Sequence, residues 1–239
     1  MKIGVISDIH SNKYALDAVL KEFDNLNIDK IICCGDVVGF NPYPEECAQL
    51  LLKRKDKLIM VRGNHEKYMI DGLPKRVHDN MRKVSENEIA HHKWNHGNLS
   101  KESREFLSNL PLDLTLNIEG KKIYVVHYPY NEDGSFKKYI RLPIPEENEE
   151  IFSGIDADIY LYGHTHELVV NEINNKLYIN PGSLGCPFGT EYAIAEILDI
   201  ENGNVNLKQV KVKYDVKKLV NEIKELGYPE HENILRIFF

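Results

Sequence analysis

Residues 2–10 read KIGVISDIH. Lys2 to Ser7 is a short apolar run closing on a polar residue, as a buried strand would read, and Asp8 and His10 stand just beyond its end. The same pattern then returns twice. From Tyr14 to Leu26, Ala15, Leu16, Val19, Leu20, Phe23 and Leu26 fall on one helical face. Residues 30–36, KIICCGD, give a second strand from Lys30 to Cys34, followed by Gly35-Asp36. Pro44 opens a helix to about Leu52, with Cys47, Leu50 and Leu51 facing inward. Residues 58–66, LIMVRGNHE, give a third strand, Leu58 to Val61, that runs into Gly63-Asn64-His65-Glu66. Strand, helix, strand, helix, strand predicts a parallel sheet and an α/β fold. In such sheets ligands gather beyond the carboxyl ends of the strands, where Asp8, His10, Asp36, Asn64 and His65 all fall.

Downstream the character changes. Residues 67–111 are polar and helix-like, with Trp94 and Leu107 among the few strong apolar anchors, and are expected to form a small helical insert over the strand ends within a single domain, residues 1–239. Strand-like runs follow at Leu112–Ile118, Lys121–Val126, Ile159–Tyr162, Leu168–Ile173, Leu177–Asn180, Tyr192–Asp199 and Val205–Val212. Glu119-Gly120 and Asn174-Asn175 read as hairpin turns. The second half is thus a β-rich layer packed on the first. Tyr128 to Glu149, directly after His127, is the largest irregular stretch, and loops of that length are usually functional or mobile. A helix from Val216 to Leu226 precedes the apolar end ILRIFF, residues 234–239, which is expected to pack on the body.

Composition narrows the function classes. With 42% hydrophobic and 28% charged residues the chain is an ordinary globular one. A formal net charge of −7 argues against an extended nucleic-acid partner, which needs a basic face. It leaves room for a phosphate-bearing substrate, because bound cations reverse the local field. No stretch approaches the ~20 apolar residues of a membrane span, and the opening MKIGVISDIH is too short an apolar run for a secretory signal. The expected location is cytoplasmic, with no membrane partner. Cys33, Cys34, Cys47 and Cys186 include no CxxC pair and do not form a disulfide framework at this size and spacing; Cys33 and Cys34, in an apolar run, read as small buried residues.

Five clusters carry chemistry: Asp8-Ile9-His10, Gly35-Asp36, Gly63-Asn64-His65-Glu66, His127, and Gly163-His164-Thr165-His166. They supply oxygen and imidazole nitrogen and no thiolate, a set that suits a first-row divalent cation more than a cysteine-rich structural zinc. Side chains two apart in an extended segment share a face, so Asp8 with His10, and His164 with His166, are expected to converge. Glycines 35, 63 and 163 permit tight turns and close backbone approach just before the ligands. Taken singly, Asp8-Ile9-His10, His127 and GHTH are weak signals and GNHE a moderately specific one; together, at successive strand ends, they point to one centre.

This ordered set resembles the calcineurin-like metallophosphoesterase superfamily, from Asp8 to His166 and on to Asn180-Pro181-Gly182-Ser183, and the chain looks like its subgroup related to diadenosine tetraphosphatases. The resemblance implies a four-layer β-sandwich flanked by helices. It also implies that Asp8, His10 and His166 bind one cation, that Asn64, His127 and His164 bind a second, and that Asp36 bridges them. His65 matches the histidine that faces the leaving group. Ser/Thr protein phosphatases share GNHE, but their second motif continues into Asp-Arg-Gly. Here it reads Gly35-Asp36-Val37-Val38-Gly39, and the missing arginine argues against that activity.

The implied reaction is hydrolysis of a phosphomonoester or phosphodiester. Two cations about 3.5–4 Å apart hold a hydroxide for in-line attack, manganese first, with iron, zinc, nickel and cobalt as the other candidates. His65 would protonate the leaving alkoxide or stabilise its charge. Glu66 either supports a ligand histidine or is a helix N-terminal acid; Arg62 either reaches a substrate phosphate or is structural. Tyr128, Tyr130, Lys137, Lys138, Tyr139 and Arg141 offer aromatic faces and cations suited to a nucleotide. The expected partner is therefore a small phosphate ester, a nucleotide among the candidates, with homo-oligomerisation left open. A metal-dependent nuclease is the first alternative, disfavoured by the acidic balance. A non-catalytic interaction scaffold on the same fold is the second, disfavoured because all eight positions are present.

Overall fold

The first half folds as its periodicity dictates. In the computed structural model, which describes residues 1–77 and 82–239, β1 (Lys2–Ile6) is followed by α1 (Lys13–Asn25). This helix starts where the Asn12 side chain accepts the Ala15 N–H at 3.1 Å, and it buries Ala15, Leu16, Val19, Leu20 and Phe23. Then come β2 (Lys30–Cys33), α2 (Pro44–Leu52) with its proline in the first turn, β3 (Leu58–Met60) and α3 (Asn64–Asp71). β1, β2 and β3 pair in parallel.

A short ribbon, β4 (Arg76–Val77) with β5 (Arg82–Lys83), leads to α4 (Glu86–Gly97), capped by Ser85, and α5 (Lys101–Ser108), capped by Ser100. The second half comprises β6 (Asp113–Ile118), β7 (Lys121–Val126), α6 (Pro145–Ile151), β8 (Ile159–Leu161), β9 (Leu168–Ile173) and β10 (Lys176–Pro181). It ends with β11 (Tyr192–Glu201), β12 (Asn204–Lys213), α7 (Val216–Leu226) and α8 (His231–Phe238).

Two mixed five-stranded sheets result, ordered β12-β11-β1-β2-β3 and β6-β7-β8-β10-β9. Ile3, Val5, Ile32, Cys34 and Val61 of the first meet Ile123, Val125, Ile159, Leu161 and Ile179 of the second in a closed apolar layer. Each fully buried aliphatic side chain there contributes ~1.5–3 kcal/mol, so the sandwich is a stiff base. On the outer side of the first sheet lie Leu16 and Leu20 of α1, Leu51 of α2, Ile223 of α7 and Ile234 of α8. On the outer side of the second, Tyr160 and Tyr178 stack at 4.5 Å beside Phe152 at the end of α6. Helices, sheet, sheet, helix is the expected four-layer sandwich.

Two segments differ from expectation, and the apolar end packs on the body as expected. Residues 67–111 contain the β4–β5 ribbon as well as helices, and residues 78–81 of that segment lie outside the described ones. The stretch from 128 to 149 is not irregular throughout, because α6 opens at Pro145 with Glu146 and Glu147 in its first turn, a strong local start signal. The apolar end forms α8, which buries Ile234 and Phe238 on the body. Among the described residues no helix is long and apolar enough to cross a membrane.

Candidate metal centre

Three of the strands that end at this edge, β1, β2 and β8, pass into backbone of unusual hand. Asp8 (φ 52), His10 (φ 44), Asp36 (φ 53), His164 (φ 71) and His166 (φ 62) are all left-handed, which is uncommon for residues other than glycine. The expectation that extended segments bring Asp8 to His10 and His164 to His166 is therefore corrected. Their side chains converge because the chain curls, and hydrogen bonds hold the curl: His10 N–H to Asp36 O at 2.9 Å, Asp8 N–H to Gly35 O at 3.0 Å, Thr165 N–H to Gly163 O at 2.8 Å. Such strain persists where surroundings over-determine it, typically at functional sites. At Gly63 a Cβ would stand 2.1 Å from Asp36 Oδ1, so the glycine there serves close approach.

The seven expected ligands meet in two groups. In the first, His10 Nε2 lies 2.9 Å from His166 Nε2, and these atoms lie 3.6 and 3.4 Å from Asp8 Oδ1. In the second, Asn64 Oδ1 lies 3.1 Å from His127 Nε2 and 2.8 Å from His164 Nδ1, and the two rings approach to 3.3 Å. Asp36 Oδ2 stands between the groups, 3.8 Å from His10 Nε2 and 3.2 Å from His127 Nε2. The outward nitrogens of two rings are engaged by carbonyls: His10 Nδ1 by Val38 O at 3.2 Å and His127 Nδ1 by Cys34 O at 2.8 Å. Each donates there and turns the other nitrogen's lone pair inward, the usual arrangement for a ligand imidazole. The donor set and its orientation fit a pair of divalent cations.

Electrostatics agree. Burial pushes the Asp8 carboxyl up, but hydrogen bonds to His10 and His166 outweigh it and hold the group well below the usual range. Burial acts likewise on Asp36 and is overcome by His127, His65 and His10. Against burial, the Asp36 and Asp8 carboxylates push His127 up to about 9. Any cation bound at this ring displaces that proton. Burial, aided by His127, drives His164 down to about 3, so its ring is neutral.

His65 is buried beside the first group, its ring 4.8 Å from that of His10 and 5.0 Å from that of His92. Burial holds it well below its ordinary value, against Asp36, so the ring is neutral. Glu66 fills neither expected role alone. It sits in the first turn of α3, and it also reaches across to accept four backbone N–H groups, from Gly63, Asp36, Val37 and Val38, at 2.8–3.1 Å. The carboxylate thereby holds the turn that carries Asp36. Arg62 Nε is buried without a hydrogen-bond partner among the described residues.

The aromatic and cationic residues after His127 separate. Tyr128 is buried, with its hydroxyl bonded to Lys138 O and Ile140 N, Lys137 reaches Ser153, and Arg141 pairs with Glu167. Tyr130 stacks on Phe136, which lies 4.6 Å from the His164 ring, and the exposed Tyr139 lies 5.8 Å from it.

Sequence reasoning passed over three residues here. Asn180 donates to Gly163 O and Thr165 Oγ1, bracing the His164 turn; its place in NPGS was the available signal. Asn95 of α4 accepts the Gly39 N–H and donates to Asn41 O, and nothing local marks it. Cys186, to which the sequence assigned no role, lies against the first donor group.

Residues 1–203 match the calcineurin-like phosphoesterase superfamily domain. An uncharacterized protein of Methanocaldococcus jannaschii is 33% identical, over 95% of this chain and 94% of its own. A phosphodiesterase of the same organism is 25% identical, over 84% of this chain and 94% of its own. The crystal structure of a hypothetical protein from Pyrococcus horikoshii superposes with a TM-score of 0.82 at 23% identity, over 100% of this chain and 97% of that one, a likeness of fold.

Proposed function

Because this chain belongs to the calcineurin-like phosphoesterase superfamily, whose members are metal-dependent phosphoester hydrolases, we propose that it is a two-metal phosphoesterase acting on a small phosphomonoester or phosphodiester. One observation carries the reading: seven oxygen and nitrogen donors converge in two groups, with Asp36 Oδ2 facing a histidine of each. Two cations, manganese first and iron, zinc, nickel or cobalt otherwise, would supply Lewis acidity and an activated water.

The chain's own residues do the rest. Asp8, His10 and His166 would hold one cation and Asn64, His127 and His164 the other, with the Asp36 carboxylate placed to serve either. Glu66 keeps Asp36 in register through the four N–H groups it accepts. His65, neutral and pressed against His10, serves the leaving oxygen as a hydrogen-bond donor, so of the two roles expected for it charge stabilisation is the better supported. The orphaned Nε of Arg62 is suited to a substrate phosphate. Phe136 and Tyr139 beside His164 offer faces to a base, which keeps nucleotides, dinucleoside polyphosphates among them, in the substrate class. Four free, buried cysteines favour a reducing, cytoplasmic setting.

The test is a screen of metal-loaded protein against mono- and diesters, cyclic nucleotides and dinucleoside polyphosphates. Turnover that Asp36→Asn abolishes is the expected result. A chain with two cations verified and no turnover on any ester would overturn the proposal.

A further inference from the structure

Sulfur reaches the edge of the first donor group through the fold. Cys186 is 2% exposed, and its Sγ lies within 4.8 Å of ligand nitrogens on both His10 and His166. Those two nitrogens already face each other and Asp8, so the sulfur adds a donor to a group built of lone pairs. The segment that carries it is fastened to the backbone of the first ligands. Ser183 Oγ donates to Asp8 O at 2.9 Å and accepts the Cys186 N–H at 3.1 Å. Leu184 and Gly185 donate their N–H groups to Ser7 O and Asp8 O at 3.0 and 2.9 Å. Gly185 O accepts the side-chain amides of Asn12 and Asn41, both at 3.1 Å. The approach is so close that a Cβ on Gly185 would stand 1.8 Å from Ile9 O. Cys186 shares the helix-side core with Cys33 and Cys47, and Cys34 lies between the sheets, but among the described residues only the Cys186 sulfur stands within ligand reach of the donor groups.

We propose that Cys186 is a sulfur donor to the cation held by Asp8, His10 and His166, making that position a mixed oxygen, nitrogen and sulfur site beside a neighbour built from oxygen and nitrogen alone. The inference rests on the metal-centre reading above. On binding, the S–H bond breaks, its proton passes to solvent, and the sulfur keeps the electron pair for the cation. Thiolate is a soft ligand that favours zinc and iron, whereas manganese suits carboxylate and water. The two positions therefore sort different cations from a mixture.

Metal-free protein titrated with cobalt(II) and followed by absorption tests this. Two cobalt ions per chain are expected, with a near-ultraviolet sulfur-to-cobalt charge-transfer band that both Cys186→Ser and Cys186→Ala lose. X-ray absorption of the zinc-loaded chain should show a sulfur at about 2.3 Å, absent from the variants. Zinc affinity at that position should fall by at least the ~10–100-fold that loss of an outer partner costs. Two bound cobalt ions with neither band nor sulfur scatterer in the wild-type chain would overturn the proposal and leave the metal centre standing. A chain that binds no cobalt would overturn both. A band that survives in Cys186→Ser would assign it to another thiol and overturn the proposal. If a variant fails to fold, the wild-type spectra decide alone.

Discussion

Replacing Glu66 by glutamine should destabilise the chain by about 2–4 kcal/mol, a large share of the ~5–15 kcal/mol of a typical domain. Glu66 Oε1 accepts the N–H groups of Val37 and Val38, at 2.8 and 3.1 Å, and Oε2 those of Asp36 and Gly63, at 2.9 and 2.8 Å. Glutamine has nearly the same shape but only one acceptor oxygen. Whichever way its amide is turned, the NH2 faces two N–H donors, and two buried donors lose their partner. Each such loss costs ~1–3 kcal/mol, giving ~2–6 kcal/mol. Part is offset, because burial and the Asp36 charge push the Glu66 carboxyl up to about 7. Removing a charge that the interior disfavours returns some free energy, hence the lower half of the range. Urea unfolding of metal-free protein at pH 8, where Glu66 is ionised, measures it as a shift of midpoint at unchanged slope. Cation affinity should fall as well, since the turn bearing Asp36 is released. A variant within ~0.5 kcal/mol of wild type would refute the argument that this carboxylate organises the turn.

Two further outcomes follow from the same geometry. His65→Ala should lower turnover by ~10²–10³-fold while both cations stay bound. The ring's ligand atom lies within 4.8 Å of those of His10 and Asp36, so loss of a cation from this variant, read by metal analysis, would reassign His65 as a ligand. The α4 histidines predict an acid-side loss of stability. Burial, as first cause, holds His91 at about 4, His92 at about 3 and His96 at about 4, all below the unfolded value near 6.5. Between those limits the folded chain binds fewer protons than the unfolded one, so their contribution is complete above about 6.5 and fades as pH falls through 4. Denaturant unfolding at pH 7 and pH 4.5 should show the loss, and a His91→Gln, His92→Gln double variant should lose less. An unchanged difference would sink the assignment.

Much of this was legible because buried parallel strands read as apolar runs, and the donors stand immediately beyond them. The hairpin turns were legible too: Glu119, Gly120, Asn174 and Asn175 all take positive φ, as two-residue turns of this type require. Asn202-Gly203 carries the same signature and was readable by the same rule. The curl at Asp8, His10, His164 and His166 was not, because a period of two describes a strand and says nothing once hydrogen bonds from a neighbouring loop take over the backbone. Glu66 was half legible: its place at a helix start follows from the local sequence, its grip on residues 36–38 only from the packing of β2 beside β3. Cys186 was illegible on principle. It follows Asn180-Pro181-Gly182-Ser183 by three residues with no local mark of a donor, and only the return of the segment after β10 to the tip of β1 brings its sulfur to His10 and His166.

From that same geometry, any cation bound there is predicted to become part of the fold. Asp8, His10, Asp36 and Asn64 follow strands of the first sheet, whereas His127, His164 and His166 follow β7 and β8 of the second. Each donor group draws on both, so a bound cation is a cross-link between the two layers of the sandwich. Binding to the folded chain alone stabilises it by RT ln(1 + [L]/Kd), about 2.7 kcal/mol per site at a hundredfold excess over Kd. For a chain of this size, ~2–4 °C per kcal/mol converts one such site into roughly 5–11 °C of melting temperature. Scanning calorimetry of metal-loaded and chelator-treated protein should show a rise of that order that grows with free metal concentration. Asp36→Asn should show a smaller one, because the oxygen shared by the groups is replaced by a weaker donor. If loaded protein with two cations verified melted with the chelated form, the cations would be held outside this junction, and the pairing of the sheets through Asp36 would be wrong.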